Sequence, residues 1–292
     1  MDTSSLKPRQ VVMLGVPWDE HSSYLRGPAE APPLIREALH SHAGNPWTET
    51  GVDLSSAERL HDLGDLDLAG AGGLDLGSGS AFAPAPFETI EGTVDGLLAQ
   101  GHRVLSLGGD HAVSYPILRA YGHRHEGLTI LQIDAHPDLY DEFEGNRLSH
   151  ACPFARVMEE GLARRLVQVG IRTATDLQRR QAARFGVEIV EMKDLRSAPD
   201  LVEGLALEGP LYLSFDLDGL DPAFAPGVSH REPGGLSVRD ALSILHGIGA
   251  ADVPLVGADV VEYNPRQDLG GVTATVAAKL VKEISALLLR SA

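Results

Sequence analysis

Three apolar, β-branched runs in this chain each end in carboxylates or imidazoles, and that recurrence limits the fold more than any other feature. Leu128-Thr129-Ile130-Leu131-Gln132-Ile133 has the length and composition of a strand buried on both faces, and it runs straight into Asp134-Ala135-His136-Pro137-Asp138. Side chains alternate along extended backbone, so Asp134, His136 and Asp138 project to one side. Leu211 to Phe215 is a second such run and ends in Asp216-Leu217-Asp218, and Arg103 to Leu107, a third, ends in Gly108-Gly109-Asp110-His111.

Read outward from these runs, the chain alternates strand and helix. Val11 to Val16 is a first strand, followed by a turn-rich loop from Pro17 to Pro28 and by helical spacing from Ala29, with Leu34, Ile35, Ala38 and Leu39 on one face. Arg59 to Leu66 is a weaker strand, Phe87 to Gln100 a helix stopped by Gly101, and Tyr115 to Tyr121 another helix. A loop from Leu139 to Ser149 precedes a helix that starts at His150 or Ala151 and ends at Glu160. Leu166 to Ile171, Val187 to Glu191 and Leu255 to Val261 complete a set of about eight strands separated by helical segments, the pattern of a parallel sheet covered by helices on both faces. Ligands of such sheets bind outside the carboxyl ends of the strands, where all three clusters fall. Residues 1–292 read as a single domain, with a polar N-terminal extension over 1–10. A Gly-, Ala-, Ser- and Pro-rich surface loop over 69–86 lacks the Gly-Lys-Ser/Thr ending of a phosphate loop.

The chain carries 24 Lys plus Arg against 41 Asp plus Glu, a formal net charge of −17, and has no basic run to track a phosphate backbone, which argues against nucleic acid as a partner. Cys152 is the one cysteine, so no intrachain disulfide can form, and the first residues lack an apolar signal core. With no apolar run approaching the ~18 residues of a membrane span, the expected setting is soluble and cytosolic.

Asp134, Asp138, Asp216 and Asp218 with His111 and His136 would hold two divalent ions at one sheet edge, with Asp134 and Asp216 free to bridge. Carboxylate mixed with imidazole suits Mn2+, with Ni2+, Co2+, Fe2+ and Zn2+ as alternatives, and does not suit Ca2+. Two such ions make hydroxide available at neutral pH, which is the nucleophile of a hydrolase. Counting Glu262, at the end of the Leu255 to Val261 strand, the loaded site is net negative by about two charges, which favours a cation over a phosphate ester. A guanidinium is always protonated and presents a planar fork of donors, so a carboxylate such as Glu262 can hold it by paired hydrogen bonds. His150, in the loop after the central triad, is the candidate proton donor to a leaving amine. A lone strand-end aspartate is ordinarily a helix cap or a turn residue, the role expected of Asp110 and Asp221, but five ligands at matching spacings are not explained that way. His230 fits a packing role as well as a substrate-facing one.

Gly108-Gly109-Asp110-His111, Asp134-Ala135-His136-Pro137-Asp138, the run from Ser214 to Gly227 and Glu262-Tyr263-Asn264-Pro265 resemble the ureohydrolases, the arginase and agmatinase family, and the similarity extends from about Val11 to the last helix. Within the family the chain is most similar to plant-type arginases, through Phe143-Glu144-Gly145-Asn146 with Ser149-His150, Ser229-His230 with Glu232 to Ser237, and Val272-Thr273-Ala274. The resemblance implies a three-layer α/β/α fold around a central parallel sheet, a binuclear Mn2+ site, hydrolysis of a guanidino group to urea and an amine, and a homotrimer or homohexamer. It also implies that His111, Asp134, Asp138 and Asp216 hold one ion and Asp134, His136, Asp216 and Asp218 the other. In the same way His150 matches the proton-shuttling histidine and Glu262 the guanidinium-binding glutamate.

Several departures bear on substrate choice. Animal and many bacterial arginases place acidic residues soon after the corresponding Gly-Ile-Arg to hold the arginine α-amine, whereas Thr173, Ala174 and Thr175 follow Arg172 here, with Asp176 next. The usual cysteine between the second metal aspartate and Leu-Asp-Pro is Gly219, which is expected to leave more room. At the pocket mouth, Asn146 would bind an α-carboxylate, while Asp141 and Glu142 would suit the distal amine of agmatine. The plant-type loop favours L-arginine, giving ornithine and urea, over agmatine, giving putrescine and urea, or another guanidino compound. A deacetylase with one metal and a tyrosine is disfavoured by the doubled Asp motif, and a catalytically silent regulatory homologue by the intact ligand set.

Overall fold

Residues 6–68, 85–195 and 198–291 are described by a computed structural model in which each apolar run named above is a strand of one parallel sheet. The strands are β1 (Val11–Gly15), β2 (Leu60–Asp65), β3 (Arg103–Leu107), β4 (Thr129–Ile133), β5 (Arg165–Ile171), β6 (Glu188–Glu191), β7 (Leu211–Asp216) and β8 (Leu255–Val261). Their order is β2-β1-β3-β8-β7-β4-β5-β6. The chain therefore passes from β3 to β4 over the places later taken by β7 and β8, and the three strands that end in the sequence clusters lie at the centre together with β8, which leads into Glu262. Register aligns their ends: Ile133 pairs with Phe215, Asp216 with Val261, and Leu107 with Val260.

Alternation along the strands feeds two cores. Leu105, Leu131, Ile133, Leu213 and Phe215 pack with α1 (Ala31–Leu39), α6 (Ala198–Leu205), α7 (Val238–Ala250) and α8 (Val272–Ser291). Val104, Ile130 and Tyr212 point the other way, toward α2 (Ala85–Ala99), α3 (Ser114–Arg124), α4 (Pro153–Glu159) and α5 (Asp176–Phe185). The result is the expected three-layer α/β/α arrangement.

Local chemistry sets the helix boundaries and shifts some of them from expectation. A 3-10 turn over Pro28–Glu30 precedes α1, whose first turn carries Pro32 and Pro33, so the α-helix begins two residues after Ala29. Pro153 opens α4 and disfavours helical backbone at Cys152, which leaves His150 in the preceding turn instead of in the helix. α5 starts with a capping box between Thr175 and Gln178 and stops at Gly186, which is left-handed at φ 68°. Of the loop expected over 69–86, residues 69–84 lie outside the described residues, and Ala85 and Pro86 begin α2. Residues 1–5 of the expected N-terminal extension lie outside them as well.

The β3 end is held against the loop after β1 by direct backbone contact. Asp110 N–H donates to the Trp18 carbonyl at 2.9 Å, and a Cβ at Gly109 would sit 1.7 Å from that carbonyl oxygen. Gly109→Ala is therefore expected to force the two segments apart and to cost about 2 kcal/mol of stability. The denaturant midpoint should fall at unchanged slope; an unaltered midpoint would show that the contact is not held in solution.

Candidate active site

The carboxyl ends of β3, β8, β7 and β4 deliver their side chains to one buried cluster. Asp134 and His111 are fully buried, and Asp216 and Asp218 nearly so. His111 and Asp134 with Asp216 form one group able to hold a cation, and Asp134, His136 and Asp218 form a second that shares Asp134. His111 Nδ1 lies 3.1 Å from Asp134 Oδ2, 3.0 Å from Asp138 Oδ2 and 3.1 Å from Asp216 Oδ2, yet makes no directed hydrogen bond. His136 Nδ1 is 3.0 Å from Asp218 Oδ2. A ring nitrogen facing three carboxylate oxygens at such distances is the donor set of a divalent ion, and it passes the chemical test for one.

The titration of the cluster makes the same point. Burial raises the Asp216 pKa well above the carboxylate range, and the charges of Asp218 and Asp134 raise it further. Burial and then Asp134 push Asp138 up to about 6. Burial works against charge on His111, but Asp134, Asp138 and Asp216 outweigh it and lift its pKa far above the usual imidazole value. Without cations the cluster retains protons that metal binding would displace.

Second contacts orient the ligands, and sequence reasoning did not single these residues out. His111 Nε2 is 3.0 Å from Ser214 Oγ, which donates to Asp259 Oδ1 at 2.8 Å. Ser114 Oγ and Tyr212 OH donate to the other oxygen of the fully buried Asp259. A hydroxyl that donates to Asp259 must accept from Nε2–H, so the lone pair of neutral His111 sits on Nδ1, toward the carboxylates. Across the β4–β5 pair, Gln168 Nε2 donates to Gln132 Oε1 at 2.6 Å, and Gln132 Nε2 donates to Asp134 Oδ2 at 2.7 Å. Asp138 and Glu262 have left-handed backbone, φ 50° and 63°, a strain that occurs at functional sites more than elsewhere. Gly219 does not provide spare room: a Cβ there would lie 2.9 Å from Asp134 N, so the glycine allows the turn after β7 to pack on β4.

Above the cluster, a cavity of about 170 Å³ is lined by His136, Asp138, Asp216 and Asp218, by His150, Glu262 and His230, and by Ser23, Tyr140, Phe143, Thr173, Thr175 and Gln178. His150 Nδ1 is 2.7 Å from Glu262 Oε1, which also accepts the His111 backbone N–H at 2.9 Å. Burial disfavours a charged imidazole at His150, but Glu262, with Asp110 and Asp138, overrides it and brings the pKa up to about 9. The Ser23 backbone N–H donates to His150 Nε2 at 3.2 Å and Ser23 Oγ lies 2.8 Å from the same nitrogen, so Nε2 is the accepting nitrogen and the proton sits on Nδ1, toward Glu262. His230 sits between His150 and His136, with ring centroids at 5.2 and 5.9 Å, and so faces the cavity.

Asn146 is not among the lining residues. Its amide is spent on other contacts: Nδ2 lies 2.9 Å from Nδ1 of His21, in the loop after β1, and Oδ1 accepts from Leu148 N–H of its own loop at 2.8 Å. Asp141 pairs with Arg147 and Arg156. Asp110 caps the 3-10 turn His111–Val113, and Asp221 accepts the Ala223 N–H of its own turn together with the Gly234 and Gly235 N–H groups, the cap and turn roles expected of the two.

Ser214→Ala would remove the partner that holds His111 in its ligating tautomer. It is expected to weaken metal retention by about tenfold or more, measured by competition with a chelator. Unchanged affinity would mean that Ser214 does not orient the ligand.

The sequence profile of the arginase family matches residues 9–286. Arginase 1 of Arabidopsis thaliana, a mitochondrial protein, is 49% identical over 280 residues, 94% of this chain and 80% of the relative. An agmatinase of Bacillus subtilis (strain 168) is 31% identical over 273 residues, 94% of this chain and 90% of the relative. Among solved structures, the arginase from Medicago truncatula superposes with a TM-score of 0.84 at 43% identity, covering 96% of this chain and 87% of that one. Plant arginases of 46 to 49% identity are mitochondrial or chloroplastic/mitochondrial proteins, which overturns the cytosolic expectation. A low cysteine count does not separate the cytosol from the interior of an organelle, because both keep thiols reduced. With this similarity over nearly its whole length, and with paired His and Asp groups where a binuclear centre needs them, the chain belongs to the arginase family of metal-dependent hydrolases acting on guanidino C–N bonds.

Proposed function

We infer that this chain hydrolyses L-arginine to ornithine and urea. The observation that carries the reading is the placement of Glu262, paired with His150, in one cavity with the carboxylate cluster. The chain's similarity to plant arginases supports arginine as the substrate. Mn2+ is proposed for both ion positions, with Ni2+, Co2+, Fe2+ and Zn2+ as alternatives that suit mixed imidazole and carboxylate donors. His111, Asp134, Asp138 and Asp216 would hold one ion and Asp134, His136, Asp216 and Asp218 the other. Bound there, the ions supply the nucleophile by bringing the pKa of water into the neutral range. A homotrimer or homohexamer is proposed on the family resemblance alone.

The protein's own groups then bind, orient and protonate. Glu262 is buried and negative, because His150 outweighs the effect of burial and holds its pKa below the usual glutamate value. It is thus ready to accept the N–H fork of a guanidinium. In the free protein that carboxylate is occupied by His150, so an arriving guanidinium competes with the imidazolium. His150 holds its proton at Nδ1, beside the position the guanidinium would take, and that proton is available to the leaving alkylamine. Agmatine is the lesser reading: Asp141, one of its two candidate amine partners, is committed to arginines, and Glu142 is exposed and does not line the cavity.

The test is urea release by the metal-loaded protein from arginine and agmatine, followed from pH 7 to pH 10. Arginine should be preferred. Its kcat/KM should fall at the alkaline end of that range, as His150 loses the proton held for the leaving amine. Preference for agmatine would overturn the substrate, and a rate that kept rising through the alkaline end would remove His150 as the proton donor.

A further inference from the structure

Gln178 occupies the third position of α5 and is 3% exposed, yet it lines the cavity above the carboxylate cluster. Its two polar ends face different ways. Oε1 accepts the Thr175 backbone N–H at 3.0 Å and the Thr175 hydroxyl at 3.1 Å. A backbone N–H can only donate, so this contact fixes the amide: the oxygen must face Thr175 and Nε2 must face away from it. Among the described residues nothing accepts a hydrogen bond from Nε2, although the side chain is buried at the wall of a polar cavity. Nε2 is therefore a donor with no protein acceptor at the cavity wall, free to meet an acceptor brought into the cavity.

The charges around it indicate which acceptor. The carboxylates lining the cavity are Asp138, Asp216, Asp218 and Glu262, all assigned to the ions or to the guanidinium. The lining residues that precede Gln178 in the chain are Thr173 and its contact Thr175, which carry no charge, and Asp176 is exposed on α5 outside the lining. This wall offers donors and no anion to a ligand's far end. We propose that Gln178 Nε2 binds the substrate's carboxylate, so that the enzyme selects guanidino compounds ending in a carboxylate, arginine among them, over those ending only in an amine. The proposal rests on the reading of the cavity as a guanidino hydrolase site, and it gives Gln178 the contact that Asn146 is not placed to make.

Gln178→Glu isolates the effect. A glutamate oxygen accepts the Thr175 N–H as the amide oxygen does, so the capping box and the fold are kept, while the donor is replaced by a negative oxygen. Urea release is measured from arginine, guanidinobutyrate, which has a carboxylate and no amine, and agmatine, which has an amine and no carboxylate. KM for arginine and guanidinobutyrate should rise about tenfold or more with kcat little changed, and KM for agmatine should stay level or fall. Gln178→Met should raise KM for the two carboxylate substrates alone. By calorimetry, ornithine binding should weaken in both variants while putrescine binding does not. An equal change for all three substrates, or no change for any, would overturn the proposal while leaving arginine hydrolysis by the wild type intact. Absence of urea from all three with wild-type protein would overturn the reading of the site and this proposal together.

Discussion

Four aspartates and two histidines crowd the carboxyl edge of three central strands, and the repulsion among those carboxylates is the constraint on which the rest of the structure depends. Asp134 and His111 have no exposure at all, and the pKa values of Asp138 and Asp216 are driven upward by burial and by neighbouring charge. A group of this kind is stable in a protein when cations offset it and when each ligand is held from behind. Both conditions leave marks on the chain: His111 Nδ1 faces three carboxylates, and Ser214, Asp259, Gln132 and Gln168 brace the ligands without reaching the cavity.

Fold and site are one arrangement. Jumping from β3 to β4 and returning to fill the gap with β7 and β8 makes neighbours of ends that are far apart in sequence, and parallel register brings Asp134 and Asp216 level. The helix caps serve the site as well. Pro153 delays α4 and leaves His150 in a turn beside Glu262, while the capping box of α5 turns the oxygen of Gln178 inward to the helix and its nitrogen outward. Glu262 belongs to two functions at once, anchoring the His111 backbone N–H and pairing with His150, so the guanidinium position and the ion position are mechanically linked.

Much of this was legible in the sequence because strand and ligand share a period. An Asp-x-His-x-Asp run after a β-branched strand announces both a buried strand and a one-sided ligand set, and the alternation of strands and helices announces a parallel sheet. Residues whose partners depend on strand order were not legible. Gln132 and Gln168 look like polar interruptions of apolar strands until β4 and β5 are known to pair, and Asp259 becomes a brace for His111 only once β8 lies between β3 and β7. Polar residues inside runs expected to be fully buried were the available signal. Asn146 was expected in the cavity because its loop resembles a plant-type motif, but the motif does not report that His21 and Leu148 use its amide.

The most direct test of the central claim is the metal content of the reconstituted wild-type protein, by elemental analysis after removal of weakly held ions. Two divalent ions per chain are expected, since five of the six ligands form two groups joined at Asp134 and the sixth, Asp138, lies against His111. One ion or none, in protein that is folded and saturated with Mn2+, would contradict the account.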